Sequence, residues 1–211
     1  WLVKGMENIL ASRNSSDKVI RIFASTLTDL AEGELLQLQK AETGDTLEKD
    51  YYRIIYDKTA SLFVASAAAG AISVSATEEK MSAARTYAKC LGVAFQIRDD
   101  IFDYEENAEI GKPVGLDLKE KKITLPLLGA LAKAGEERGR EIRRKLCRID
   151  DHPEYGGEII EFVKSEGGIE YARKRLYEYV DNARIALRPF GNMQEVEMLG
   201  KIAEFTADRK S

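Results

Sequence analysis

The chain contains few of the residues that build disulfides, zinc sites or membrane spans. Its two cysteines, Cys90 and Cys147, each fall inside a predicted helix, and there is one histidine in 211 residues. Neither the spacing nor the context of the cysteines indicates a disulfide or a zinc site, which is typical of a reducing compartment such as the cytoplasm. No stretch is long and apolar enough for a transmembrane helix, and no signal peptide is recognisable.

Neither sign of charge dominates, and no alternation of apolar and polar residues predicts a β-strand. The 32 basic and 36 acidic residues give a net charge of −4, so the chain lacks the basic footprint of a nucleic-acid-binding protein. Hydrophobic residues make up 44% of the chain, and no repeat or low-complexity linker interrupts it. The composition predicts a single domain over residues 1–211 with a sizeable core.

Apolar residues recur instead at helical spacing, as at Val19, Ile20, Phe23, Leu27 and Leu30. Predicted helices cover about residues 17–40, 47–75, 77–103, 125–134, 136–148, 154–165, 168–188 and 193–208, with glycine- or proline-containing segments between most of them. Thr77 and Thr124 are the expected N-caps of two of these helices. The predicted fold class is all-α, and a site between packed helices suits this pattern.

The most informative segment covers residues 95–128, with the sequence FQIRDDIFDYEENAEIGKPVGLDLKEKKITLPLL. Within an apolar run, Asp99, Asp100 and Asp103 occupy positions i, i+1 and i+4, so Asp99 and Asp103 share one face of a helix. Proteins bind Mg²⁺ with one or two carboxylates, together with phosphate oxygens and water. A solvated acidic helix end is the alternative, but carboxylates in an apolar run need partners or a metal. The segment therefore predicts a site that binds a diphosphate through Mg²⁺.

The surroundings of these aspartates support the same prediction. Acidic residues at the C-terminal end of a helix meet the negative end of its dipole and one another, so we expect a compensating cation. In the loop that follows, Lys112 lies between two helix breakers, and three more lysines come after it, Lys119, Lys121 and Lys122. Such a loop can close over phosphates and exclude water. An ordinary run of surface lysines is the alternative, which we expect for Lys119 and Lys121.

Three motifs closely resemble those of the all-trans polyprenyl diphosphate synthases: KTASLF at residues 58–63, FQIRDDIFD at 95–103 and GKPVGLDLKEKKITLPLL at 111–128. In addition, EGELLQLQ at 32–39 resembles the central-helix signature of that family, and Arg209 and Lys210 resemble its basic tail. The resemblance covers essentially the whole chain in collinear order. It implies the helical bundle of the class I isoprenoid synthases and a transferase of isoprenoid biosynthesis.

The resemblance also implies a role for each site residue. The Mg²⁺ ligands are expected to be Asp99, Asp100 and Asp103. The contacts to the allylic diphosphate are expected to come from Lys58, Lys112 and Lys122. Near the reacting carbon, where a carbocation-like species forms, the matching residues are Thr59 and Gln96. The implied reaction is the 1'-4 condensation of isopentenyl diphosphate with an allylic prenyl diphosphate, in which Mg²⁺ and the lysines draw off the allylic diphosphate.

One departure from the family pattern affects the expected activity. The first aspartate-rich motif of the family, and the basic residues that hold isopentenyl diphosphate, lie upstream of the segment that corresponds to Trp1. The chain therefore resembles the C-terminal two-thirds of a synthase with the N-terminal helices missing, and we expect it to be inactive alone. The residues that set product length also lie upstream, so the sequence leaves the product and the preferred allylic primer open.

The helices after Trp1 resemble those of the family's dimer interface, which implies a homodimer. Two other functions share many of these features: a non-catalytic subunit of a heteromeric prenyl synthase, and a class I terpene cyclase. The intact aspartate motif and its lysines argue against the subunit, and GKPVGLDL and KITLPL favour elongation over cyclisation. A run of small residues at 60–71 fits either close helix packing or a prenyl-binding cavity.

Overall fold

The computed structural model describes residues 2–11, 16–105 and 115–209, and over these ranges the chain is helical without a β-strand. The helices are α1 (Leu2–Leu10), α2 (Ser16–Thr43), α3 (Glu48–Ile55), a π-helical turn (Tyr56–Ala60), α4 (Ser61–Ser73), α5 (Glu78–Phe102), α6 (Leu116–Lys119), α7 (Leu125–Lys133), α8 (Gly135–Cys147), α9 (Tyr155–Ser165), α10 (Gly168–Ala186), a 3₁₀ turn (Arg188–Phe190) and α11 (Gln194–Asp208). This confirms the predicted all-α class. The π-helical turn and α6 were not predicted from the sequence.

The starts of two helices follow from their first residues. The side chain of Thr77 accepts a hydrogen bond from the backbone N–H of Lys80 at 3.4 Å, as expected of an N-cap. Thr124 occupies the N-cap position of α7, with Pro126 in the first turn, but its side chain makes no capping hydrogen bond. Among the helices of the described residues, none combines the length and the apolar character needed to cross a membrane.

Helix α5 is the centre of the bundle, with α4, α7, α10, α11 and the π-helical turn packed around it. Ile97 and Ile101, in its last two turns, are fully buried, as are Leu125 and Leu127 at the start of α7. Burial of a large aliphatic side chain contributes about 1.5–3 kcal/mol, so the C-terminal end of α5 is firmly held. This end carries the aspartate motif.

Two glycines allow the π-helical turn to lie between α2 and α5. A Cβ added to Gly33 of α2 would approach the backbone nitrogen of Lys58 to 2.8 Å, and one added to Gly92 of α5 would approach the Cα of Ala60 to 2.7 Å. No side chain fits at either position. Single π-helical turns inside α-helices frequently occur at functional sites, and this one carries Lys58 and Thr59.

Candidate functional site

A cavity of about 90 Å³ opens between α2, α3, the π-helical turn, α5, α6 and the segment that follows α6. It is large enough for several water molecules. Its walls include five of the predicted site residues, namely Lys58, Thr59, Gln96, Asp100 and Lys122. Asp99 and Asp103 do not line it. Lys112 lies outside the described residues. The structure thus brings together most of the predicted site.

Asp100 is the buried acid of the cavity, with 4% of its surface exposed. The Tyr51 hydroxyl donates a hydrogen bond to its Oδ2 at 2.6 Å, and the Gln96 amide donates one to its Oδ1 at 3.0 Å. Burial, and then the charge of nearby Asp117, raise the pKa of Asp100 to about 8, although both hydrogen bonds oppose the shift. A cation in the cavity would favour the ionised carboxylate.

Thr59 is connected to the same group. Its hydroxyl donates to the Oε1 of Gln96 at 2.9 Å, while the amide nitrogen of Gln96 donates to Asp100. A chain of hydrogen bonds therefore runs from the π-helical turn to the aspartate motif on α5. It fixes the orientation of the Gln96 amide and keeps the Thr59 and Gln96 oxygens together at the cavity wall.

The lysines of the cavity are paired with acids. The Nζ of Lys58 lies 2.7 Å from Glu34 and donates to the side-chain oxygen of Gln37 at 3.2 Å. The Nζ of Lys122 lies 2.5 Å from Glu120 and 3.3 Å from Asp117. Although burial opposes it, these two carboxylates raise the pKa of Lys122. Two ammonium groups on different elements can thus exchange their partners for the oxygens of a bound diphosphate.

Asp99 points away from the cavity to the C-terminal segment, where it forms an ion pair with Arg209. The acidic end of α5 has a second pairing at Glu105, which lies 3.3 Å from Arg98 and 2.6 Å from Arg173. The cation predicted to compensate this acidic helix end is therefore an arginine of the chain itself. Arg209 pairs with Asp99, and Arg98 and Arg173 pair with Glu105.

Asp103 binds the backbone at the start of α6, next to the cavity. It is 7% exposed, and its carboxylate accepts the backbone N–H groups of Leu116 and Asp117 at 2.9 and 3.0 Å. The N–H of Gly115, whose φ of 82° suits glycine, donates to the Asp103 carbonyl at 2.9 Å. Asp103 thereby holds the start of α6 and places Asp117 in the cavity wall.

The sequence interpretation missed two residues of this site, Tyr51 and Asp117. Tyr51 precedes Lys58 by seven residues, two helical turns, so helical spacing would have put both on one face. Asp117 lies in the GKPVGLDL motif, but nothing in its local pattern separates it from the other surface acids. Its position follows from the contacts of Asp103, which only the folded structure reveals.

The carboxylates of this region fit a magnesium ion that is completed by its substrate. Over the described part of the chain, no three acidic, histidine or cysteine side chains converge as a ready-made metal site. Mg²⁺ typically keeps several waters and uses one or two carboxylates with substrate phosphates. Asp100 and Asp117 in the cavity wall offer hard oxygen donors of this type. The other two predicted ligands, Asp99 and Asp103, lie at the same end of α5 but bind Arg209 and the backbone of α6.

The helical bundle and its polar cavity define the class I isoprenoid synthase fold. The crystal structure of a polyprenyl synthase from Caulobacter crescentus, complexed with calcium and isoprenyl diphosphate, matches with a TM-score of 0.83 and 35% identity, covering 92% of this chain and 60% of that chain. More particularly, the chain belongs to the polyprenyl synthetase family, whose model matches residues 2–161.

Two curated relatives show how much of the family's length this chain represents. It is 35% identical to the octaprenyl diphosphate synthase of Escherichia coli over 91% of this chain and 59% of the relative. It is 32% identical to a short chain isoprenyl diphosphate synthase of Methanothermobacter thermautotrophicus over 94% of this chain and 62% of the relative. The chain thus spans about three fifths of the length of these relatives.

Proposed function

We propose that this chain is part of a Mg²⁺-dependent trans-prenyl diphosphate synthase and carries one of its metal sites together with lysine contacts to the allylic diphosphate. The observation that carries the proposal is the cavity in which Asp100 and Asp117 are close to Lys58 and Lys122. Acids for a metal ion and cations for phosphate oxygens are what a metal–diphosphate complex requires. The solved relative with calcium and isoprenyl diphosphate supports this assignment.

The lysines bind and orient the diphosphate. Lys58 and Lys122 leave Glu34 and Glu120 and donate to diphosphate oxygens, and Lys112 is expected to join them. Mg²⁺, when bound, supplies positive charge that stabilises the departing diphosphate. Once the substrate is bound, the lysine ammonium groups and Mg²⁺ would be in place before the bond breaks. They would therefore stabilise the charge that develops on the departing diphosphate without having to move during the reaction.

Thr59 and Gln96 act near the carbon from which the diphosphate departs. The C1–O bond of the allylic substrate breaks, and its electron pair leaves with the diphosphate. The hydroxyl of Thr59 and the amide carbonyl of Gln96 are neutral oxygen dipoles that stabilise the resulting positive charge. The double bond of isopentenyl diphosphate then attacks C1, and loss of a proton restores a double bond in the lengthened prenyl diphosphate.

An elongation assay tests the proposal. The complete gene product, incubated with radiolabelled isopentenyl diphosphate, an allylic diphosphate and Mg²⁺, is expected to form a longer prenyl diphosphate. Lys58→Gln and Asp99→Ala are expected to lower the rate by about 100-fold or more, since each removes a charge that acts in the transition state. The exposed Lys119→Gln is the matched control and should retain the rate. The 211-residue chain alone is expected to be inactive.

Other outcomes would favour the alternatives. No elongation with any allylic primer would contradict the proposal. Elongation only after a second polypeptide is added favours the non-catalytic subunit, and a cyclic hydrocarbon formed without isopentenyl diphosphate favours the terpene cyclase.

We further propose that the protein is a homodimer and that it is located in the cytoplasm. The two unpaired thiols of Cys90 and Cys147 are consistent with that reducing compartment. The relatives include octaprenyl and short chain synthases, so the assay should also measure product length.

A further inference from the structure

Arg209 is held on the acidic end of α5 by both its backbone and its side chain. The guanidinium of Arg98 donates to the carbonyl oxygen of Arg209 at 2.9 and 3.2 Å. The guanidinium of Arg209 lies over the ring of Phe95, 4.2 Å from its centroid, and pairs with Asp99. Only 15% of the Arg209 side chain is exposed, so this is a packed contact and not a free chain end.

The contact places a permanent positive charge on the first aspartate of the motif. The guanidinium of arginine is always charged in proteins, so Arg209 holds a full positive charge against the Asp99 carboxylate. A second cation at Asp99 would be repelled by the guanidinium, and it would also compete for the same oxygens. The pair therefore weakens the attraction of Asp99 for a divalent cation.

Two details favour exchange over permanent pairing. Asp99 is 42% exposed, so a hydrated ion can reach it from solvent. Among the described residues, the Nε of Arg209 is buried and finds no hydrogen-bond partner, which makes the docked arginine less stable than a fully bonded one. Since α11 ends at Asp208, release of Arg209 from Asp99 would leave that helix in place.

We propose that Arg209 is a positioning residue which occupies Asp99 in the metal-free chain and exchanges with a divalent cation when the site fills. The C-terminal segment thereby sets the affinity of Asp99 for that cation. This inference rests on the proposed function, because it takes Asp99 as a metal ligand. If the Arg209–Asp99 pair served only to stabilise the fold, its removal would leave the metal affinity unchanged or would lower it.

The test measures binding of Mn²⁺, which is visible by electron paramagnetic resonance, to the 211-residue chain at low salt. Arg209→Gln is expected to bind about fivefold more tightly than the wild type, the upper end of the effect of a solvent-accessible ion pair, because Asp99 is 42% exposed although Arg209 is packed. Arg209→Lys should give a smaller change. The matched control is Arg184→Gln, which removes the same charge from an exposed pair with Glu204 at 3.0 Å and should change affinity less than twofold. Equal or weaker binding by Arg209→Gln overturns the proposal.

A double-mutant cycle determines whether Arg209 acts through Asp99. In an Asp99→Asn background, Arg209→Gln is expected to have no further effect on Mn²⁺ affinity, and an effect that persists overturns the proposal. Hydrogen exchange gives a second readout: the C-terminal peptide that contains Arg209 should exchange faster when Mn²⁺ is added, and unchanged protection counts against displacement.

The elongation assay separates this inference from the proposed function. If the complete product does not elongate prenyl diphosphates, but Arg209→Gln still tightens Asp99-dependent Mn²⁺ binding, then the proposed function fails and the inference stands. If elongation is found and Arg209→Gln leaves Mn²⁺ affinity unchanged, then the proposed function stands and the inference on Arg209 fails. Absence of any Asp99-dependent Mn²⁺ binding in all variants overturns the inference.

Discussion

Asp100 is buried with both carboxylate oxygens hydrogen-bonded, and yet its pKa is raised to about 8 from an ordinary 3.8. The two hydrogen bonds favour the charged form, but burial and the charge of Asp117 oppose it more strongly. Between these two pKa values the unfolded chain has released the proton and the folded chain retains it. A rise in pH across this window therefore destabilises the metal-free fold.

We expect Asp100→Asn to remove this pH dependence. The amide oxygen can still accept the Tyr51 hydroxyl, and no proton is released. In urea unfolding with a chelator present, the variant should be more stable than the wild type at pH 8 by on the order of 2–5 kcal/mol, and the difference should shrink toward pH 4. Asp181→Asn, on the exposed side of α10, is the control. Parallel stability curves for wild type and Asp100→Asn would contradict the prediction.

At the scale of secondary structure, the π-helical turn is enclosed by glycines of two neighbouring helices. Gly92→Ala should push α5 away from this turn, because the new methyl would lie 2.7 Å from the Cα of Ala60. Overpacking of this kind typically destabilises the fold by about 1–3 kcal/mol. This loss exceeds the stability that alanine gains over glycine through its higher helix propensity. We expect a lower urea midpoint for this variant.

Gly70→Ala is the matched control for this prediction. Gly70 lies in α4, is exposed and has no heavy atom within 4 Å of an added Cβ. The same substitution there should raise stability by about 0.5–1 kcal/mol, because alanine favours the helix over glycine. If both variants shift the midpoint in the same direction, the close packing at Gly92 does not limit the fold.

The helices show how far the sequence determines the elements. Helices α2, α5, α7, α8, α9, α10 and α11 begin and end within a few residues of their predicted bounds, because apolar spacing, caps and breakers act locally. The π-helical turn depends instead on space that Gly33 and Gly92 leave on two distant helices. Likewise, Asp117 enters the cavity because Asp103 binds the backbone at the start of α6. Contacts between distant segments of this kind leave no periodic signal in a sequence.

At the scale of the whole molecule, several large apolar side chains remain on the surface. Leu35 and Leu38 of α2 are 67% and 54% exposed and lie one turn apart on the same face. Exposed apolar clusters mark interaction sites in soluble proteins. They suit the homodimer proposed above, in which each copy would cover the leucines of the other.

We therefore expect the chain to pair in solution through α2. The double variant Leu35→Gln/Leu38→Gln should raise the dimer dissociation constant by about tenfold or more, since burial of each leucine contributes about 1.5–3 kcal/mol. Sedimentation velocity over a range of concentrations measures this. Met193→Gln, at a residue 50% exposed before α11, is the control. A wild-type chain that sediments as a monomer at all concentrations would rule the interface out.

The π-helical turn also makes the site sensitive to insertions and deletions. A hydrogen bond in such a turn spans one residue more than in an α-helix, and each residue turns the helix by about 100°. Because the turn holds one residue more than an α-helical turn, deletion of one residue from 56–60 would join α3 and α4 into one regular helix whose two halves stay in register. The remaining residues of the turn would each shift by one position, which rotates them by that angle about the helix axis. Lys58 and Thr59 would then face new neighbours although no site residue had been replaced. Among homologous sequences, a single gap here should therefore mark chains that have lost the site, even where every motif letter remains.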